Sequence, residues 1–528
     1  MKKSIVIIGL ALLGIALYIA LPTADKNEGK VSNSTNTFAM YLSSEPTNLD
    51  PARGVDVNEA TVQSKIFDGL VKYNSKMKLE GSLAESWEIL EEGKKYVFNL
   101  KKNVLFHDGS PLTAKDAVYS LARLCVPSVG SPRRWVLDKV LGADKAGDSF
   151  EVTGIEAVDD YKVIITLKEP FAPFISLLTM PACYVLPEKN KSEIAESKFF
   201  EKPIGTGPFK VTQRVRDSFL KLEINEAYHG QKANVEEIII RIIPESMKAE
   251  MEFESGNLDL LQLYPTNYDR FKNSEKFKNS IVDIPALNTF YVGFNNRVAP
   301  FNDVRVRKAL NMLIDRDALI KAVYNGRAIA AKGSIPPGVS GYSENTKGYS
   351  LDPQKAKKLL AEAGIKELEF DLYHRAVQSA FEICRFIQGE LQKHGVKVNL
   401  KSMEWSALKD AVNNGEAGAF YMSWYGDYPD GENFLYPLFH SDNFGAGGNR
   451  ACFKNEEIDK LLEEAIKTDD INKREEMYAK INQKVVDEAP WMYLWHSSES
   501  YITSDNVKNI DFSPIFFMDN GISITMKK

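Results

Sequence analysis

The chain has 528 residues, 44% hydrophobic and 26% charged, with a formal net charge of −6. That length exceeds what one core supports, so two or three domains are expected. The composition excludes global disorder, and the acidic balance gives no basis for nucleic-acid binding.

In chain order, Lys2 and Lys3 precede an apolar run over 5–21, then Pro22 and a polar stretch over 23–37. This pattern predicts an export signal or short anchor over 1–22 and a linker over 23–37, outside the fold. Pro22-Thr23-Ala24 is a poor cleavage triplet, so a tether is one reading, and no cysteine follows the run to carry a lipid. Residues 38–42 alternate like a first strand. Residues 59–70 have helical spacing of Ala60, Val62, Ile66 and Leu70. Residues 87–90 and 96–100 read as a hairpin turning at Glu92-Gly93, and Thr113 with Asp116 caps a helix over 114–124. Strands are expected over 161–167 and 235–243. One helix is expected from Asp303, its cap, to Gly326, its stop, with Val306, Ala309, Leu310 and Leu313 as its stripe. Asp352, Pro353 and Gly364 bound another helix, and two more are expected over 456–467 and 472–487. Strands and helices mix throughout, which makes the class α/β.

The stretch SWYGDYPDGENFLYPLFH, 423–440, gathers aromatic rings around Asp427, Asp430 and Glu432. It follows AFYMSW, an apolar run of strand length, and Pro429 and Gly431 argue against regular structure among the acids. A buried strand ending in an acidic, aromatic-rimmed loop suits a cation or ammonium group. The competing reading is a surface turn, and on that reading Asp430 is solvated.

Catalytic signals are absent from the sequence: no GxSxG, P-loop or GxGxxG occurs, and Gly205-Thr206-Gly207-Pro208 reads as a backbone turn. His107, in FHDG, reads as a turn residue bonded to backbone. The six histidines lack metal spacing, and the four cysteines, Cys125, Cys183, Cys384 and Cys452, read as buried packing residues, with a bond between Cys125 and Cys183 left open. No catalytic residue, metal or cofactor is expected, so the chain reads as a binder rather than an enzyme. A paired-carboxylate hydrolase through Asp427 and Asp430, and a chaperone-like peptide binder, are the alternatives from other classes.

EPTNLDP, LAESWE, VLFHDGSPLTAKDAVYSL, PIGTGPFK, AYHG, SGNLDLL, PFNDVRVRKALNMLIDRDAL and LDPQKAKKLLAEAG occur in this order over nearly the whole chain. The set resembles the family 5 extracytoplasmic solute-binding proteins, the peptide-binding receptors of ABC importers. The resemblance implies a two-lobe, type II periplasmic-binding-protein fold with an extra subdomain in the first lobe: lobe I over 38–75, 201–285 and 498–528, the insert over 76–200, and lobe II over 286–497. It implies a monomer that captures di- or oligopeptides and delivers them to membrane permease subunits. Within the same fold the alternative cargoes are a nickel chelate, haem or an oligosaccharide.

Residue by residue, the resemblance places Asp427 on the peptide ammonium, Trp424 and Trp405 in the pocket, Ser423 and Tyr425 on the peptide backbone, and Gly54 and Val55 in a ligand-facing loop. Core packing competes for both tryptophans, and a simple turn for Val55. Arg375 and Arg450 are candidates for the cargo carboxylate because guanidinium forks suit it; solvation is the competing reading for each.

Overall fold

The computed structural model describes residues 36–46, 48–54, 56–515 and 520–527. The expected leader, nearly all of the linker, and Val55 lie outside them. No helix among the described residues is long and apolar enough to cross a membrane.

Residues 288–496 build a six-stranded mixed sheet in the order Ile329–Ala330, Trp491–His496, Asn288–Phe294, Ala419–Tyr425, Leu368–Arg375, Val396–Met403. Buried strands need cover on both faces. One face packs on the helices Val304–Asn311, Arg316–Tyr324 and Gln378–Gln392, the other on Trp405–Asn413, Gly431–Phe439, Glu456–Ala465 and Ile471–Glu488. The order is that of an α/β lobe.

A second body contains the sheet Thr37–Leu42, Glu237–Ile242, Phe219–Ile224, Phe209–Val215, packed on the helix Val57–Ile66. It also carries the antiparallel sheet Ala84–Leu90, Lys95–Leu100, Lys162–Thr166, Ile155–Asp159, packed on the helix Ala114–Cys125. Two stretches join the bodies. Ile281–Pro285 runs into Asn288–Phe294, and Trp491–His496 runs into Ser498–Thr503. On the second body's side, Ile281–Pro285 and Ser498–Thr503 form a three-stranded sheet with Leu260–Leu263. This is the two-lobe arrangement.

Most expected elements fall within a few residues of the observed ones. Asp116 accepts from the Thr113 N–H at 2.8 Å, closing the predicted cap. The ring of His107 faces backbone, 3.0 Å from the Gly207 carbonyl and 3.2 Å from the Gly205 N–H. Gly205 and Gly207 lie so close to the end of the helix Val57–Ile66 that an added Cβ would come within 2.0 and 2.5 Å of Ile66 backbone atoms, so this turn requires glycine.

Two expectations need correction. The single helix over 303–326 is two, because the Asp315 carboxylate accepts from the Ala318 N–H at 2.9 Å and starts a new helix, Arg316–Tyr324. The loop after Ala419–Tyr425 is shorter than expected. Asp430 accepts from the Glu432 N–H at 3.0 Å and begins the helix Gly431–Phe439. Gly431 occupies its first position, where helix geometry is least demanding. The four cysteines are free and buried, so Cys125 and Cys183 form no disulfide.

Candidate functional site

The strand Ala419–Tyr425 pairs along its whole length with Asn288–Phe294, but with Leu368–Arg375 only at Ala419 and Phe420. From Tyr421 onward, one side of its backbone therefore has no strand beside it. The Gly426 N–H donates to the Leu287 carbonyl at 2.8 Å. In an antiparallel ladder alternate residues face the partner. That bond therefore turns the backbone N–H and C=O of Ser423 and Tyr425 toward the open side. The edge is a template for an extended chain.

Side chains alternate the other way. Trp424 lies on the face covered by Gly431–Phe439 and packs there half-buried, while Tyr425, 57% exposed, meets Phe290 edge-on at 6.1 Å on the opposite face. Trp424 and Tyr425 thus do not share a pocket wall.

Asn433 fixes the end of the edge. Its Oδ1 accepts from the Trp424 indole at 3.4 Å and from the Asp427 N–H at 3.1 Å. Asp427 is held next to the loop of the other body. Its Oδ1 lies 3.4 Å from Nη1 of Arg133, and 37% of its side chain reaches solvent. Desolvation raises its pKa and Arg133 opposes the rise; water on the open side screens both effects. Arg133 belongs to a segment joined to the Asp50 turn: Ser131 Oγ donates to the Ala52 carbonyl at 2.5 Å and Arg53 to Val129 at 3.0 Å. Gly54 closes that turn by donating to the Asp50 carbonyl at 2.9 Å. The turn is anchored by Arg123, which grips both Asp50 carboxylate oxygens in a buried fork. Gly54 and Asp427 are therefore brought to one neighbourhood, through Arg133.

Asp430 is not a solvated turn residue. It is 2% exposed, caps its helix, accepts from Ser176 at 3.4 Å and sits 3.7 Å from Arg474. Glu432 is also buried; it accepts a short hydrogen bond from the Tyr428 hydroxyl, and burial pushes its carboxyl up to about 7.

Arg375 ends its strand exposed, with its guanidinium 5.5 Å from the centre of the Trp405 ring. Lys409 lies 5.6 Å from the same ring. By the parallel register, Arg375 stands level with Met422, on the open side of the edge. Arg450 is placed differently. It donates to Asn413 at 3.1 Å, next to Ala451, which accepts from Asn296 beyond the far end of Asn288–Phe294. Its guanidinium is engaged by Asn413 and the buried Tyr291 phenol, and among the described residues no contact joins it to Asp427, Arg375 or Trp405.

Sequence reasoning missed Arg133, Asn433 and Glu499. Glu499 follows the second crossing and lines a cavity of about 340 Å³ together with Tyr41, Tyr264, Ile284, Tyr501 and Phe512. It lies close enough to Tyr425 to raise that phenol, after desolvation and Tyr324. Arg133 carries no motif and lies 294 residues from Asp427. Asn433 had a readable signal, lying six residues past Asp427 in the first turn of a capped helix.

Residues 78–446 match the family model for bacterial extracellular solute-binding proteins, family 5, middle region. Heme-binding protein A of Haemophilus influenzae is 32% identical over 508 residues, covering 92% of this chain and 91% of that protein. The structure resembles the periplasmic murein tripeptide-binding protein MppA in its unliganded open form, with a TM-score of 0.84, 25% identity and coverage of 93% and 97%. The periplasmic binding protein DppA of Helicobacter pylori, in complex with the peptide STSA, gives a TM-score of 0.71 at 26% identity, with coverage of 94% and 99%. With residues 78–446, more than two-thirds of its length, in the family model and a 32% identical relative aligned over 92% of the chain, the chain belongs to the family 5 extracellular solute-binding proteins.

Proposed function

We propose that the protein is an extracytoplasmic receptor that captures peptides between its lobes and hands them to the membrane permease of an ABC importer. The observation that carries this reading is the open backbone edge at Ser423 and Tyr425, ending on the Asp427 carboxylate. Such an edge binds what all peptides share, and a carboxylate at its end suits the amino terminus. The murein tripeptide and STSA receptors of the same fold support it. Arg375, stacked on Trp405 beside that edge, is our candidate for a cargo carboxylate. We assign lobe I to 38–75, 201–285 and 498–528, the insert to 76–200 and lobe II to 286–497, with a monomer as the working unit outside the cytoplasm.

The test is a calorimetric cycle. Charge-assisted hydrogen bonds are worth roughly 1.5–3 kcal/mol each. Asp427→Asn should therefore weaken a free peptide about ten- to hundredfold. Acetylating the peptide's amino terminus should cost as much in the unmodified protein and little more in the variant, since both remove one interaction. Losses that simply add would refute the assignment. The haem-binding relative favours a second reading, a non-peptide cargo, which mass spectrometry of co-purifying ligand separates from the first.

A further inference from the structure

The cavity of about 340 Å³ opens where the crossing strands leave lobe I. Tyr41, Tyr264, Tyr501 and Phe512 contribute rings to walls that are otherwise aliphatic and polar. Tyr501 stacks on Phe512 with ring centres 5.3 Å apart, and Tyr41 and Tyr264 lie against each other. Lys65 also lines it, but keeps its Nζ on the Thr61 carbonyl at 3.3 Å. Glu499 is the acidic group of the lining. It accepts from the Tyr501 hydroxyl at 2.7 Å, and among the described residues no basic side chain forms an ion pair with it. A carboxylate has about four acceptor positions, so most of its capacity is unused. Burial pushes the Glu499 carboxyl up to about 7, and a cation entering beside the rings of Tyr41, Tyr264, Tyr501 and Phe512 would restore its charged form.

The cavity is also within reach of the Asp427 site. Glu499 pairs with Ile284, and Leu287 accepts from Gly426, the neighbour of Asp427. Glu499 also lies within electrostatic range of Tyr425, two residues before Asp427. An extended peptide rises about 3.3 Å per residue, so a short cargo anchored at Asp427 and running along this edge passes near Glu499. Tyr425, exposed between the two, lines the route.

We propose that this cavity takes a cationic side chain of the cargo, lysine- or arginine-like, so that the receptor selects peptides with a second positive charge near the amino terminus. The proposal rests on the peptide reading above and adds the substrate class. Tetrapeptides of alanine with lysine, or its uncharged analogue norleucine, at each position in turn would be titrated by calorimetry. At one position lysine should bind about tenfold tighter than norleucine, and in Glu499→Gln that ratio should fall to about one. Equal binding of the two at every position overturns the proposal, as does a preference that survives in the variant. The comparison within the unmodified protein stands even if the variant fails to fold. If no tetrapeptide binds, the peptide reading falls instead, and n-butylguanidinium becomes the probe. Saturable quenching of tyrosine fluorescence by it, lost in Glu499→Gln, supports a cation pocket; no saturation overturns it.

Discussion

Glu432 shows how strongly one buried acid is set by its surroundings. Its carboxyl is raised from 4.5 to about 7, first by burial and then by the charge of Asp430, with the Tyr428 hydroxyl opposing. Between those two values the folded protein keeps a proton that the unfolded chain has released. Stability from this residue is thus fully present below pH 4.5 and is lost as pH rises through 7. One unit is worth about 1.4 kcal/mol, so the swing is at most about 3.5 kcal/mol. Glu432→Gln keeps an acceptor for Tyr428 but cannot titrate. Its melting temperature relative to the parent should therefore climb between pH 4.5 and pH 8. A difference that stays flat across that range would show that Glu432 titrates normally. Nothing local in GENFL announced this, because the shift depends on burial that only the folded lobe supplies. Asp427 was legible, since a charged residue after an apolar strand is a local pattern; its contact with Arg133 was not, because the two meet only across the lobes.

At the level of the element, the helix Gly431–Phe439 is what holds the site. Its cap, Asp430, touches Ser176 of the insert and lies beside Arg474 of the helix Ile471–Glu488. The three partners come from distant segments, so the sequence offered only the dipeptide Asp430-Gly431, which reads equally as a turn. Asp430→Asn preserves the cap but removes the ion-pair partner of Arg474, leaving only the more distant charges of Asp469 and Glu475. We expect a loss of about 2 kcal/mol, the usual scale for hydrogen bonds to charged groups. Chemical denaturation should find it, and peptide affinity should change less than for Asp427→Asn. An Asp430→Asn protein as stable as the parent would mean that Arg474 is already satisfied by the Thr468 carbonyl, which it reaches at 2.7 Å. The break at Asp315 carries the same lesson. A continuous apolar stripe hid a second cap, because the stripe reports the buried face and not the continuity of the backbone.

For the whole molecule, the order of motifs was enough to specify a two-lobe α/β fold, and the crossing strands at 285–288 and 496–498 bear that out. What the motifs left open was the disposition of the lobes. The structure matches the unliganded open relative better than the peptide complex, 0.84 against 0.71. A cargo that touches both lobes shifts the population toward a closed state. Small-angle scattering should therefore show a smaller radius of gyration with saturating peptide. An unchanged radius would mean that cargo binds one lobe alone.

The open edge has a cost that concerns the protein's solubility. A row of unpaired backbone groups is a site for unwanted pairing between copies, as in aggregation and strand exchange. Here the free stretch runs only from Tyr421 to Tyr425, and Gly426 and Pro429 end any regular strand beyond it. The exposed Arg375 guards its flank with a charge, and the other lobe stands over its end at Arg133. The strand edge can thus stay short and open while pairing with another copy of the chain is disfavoured.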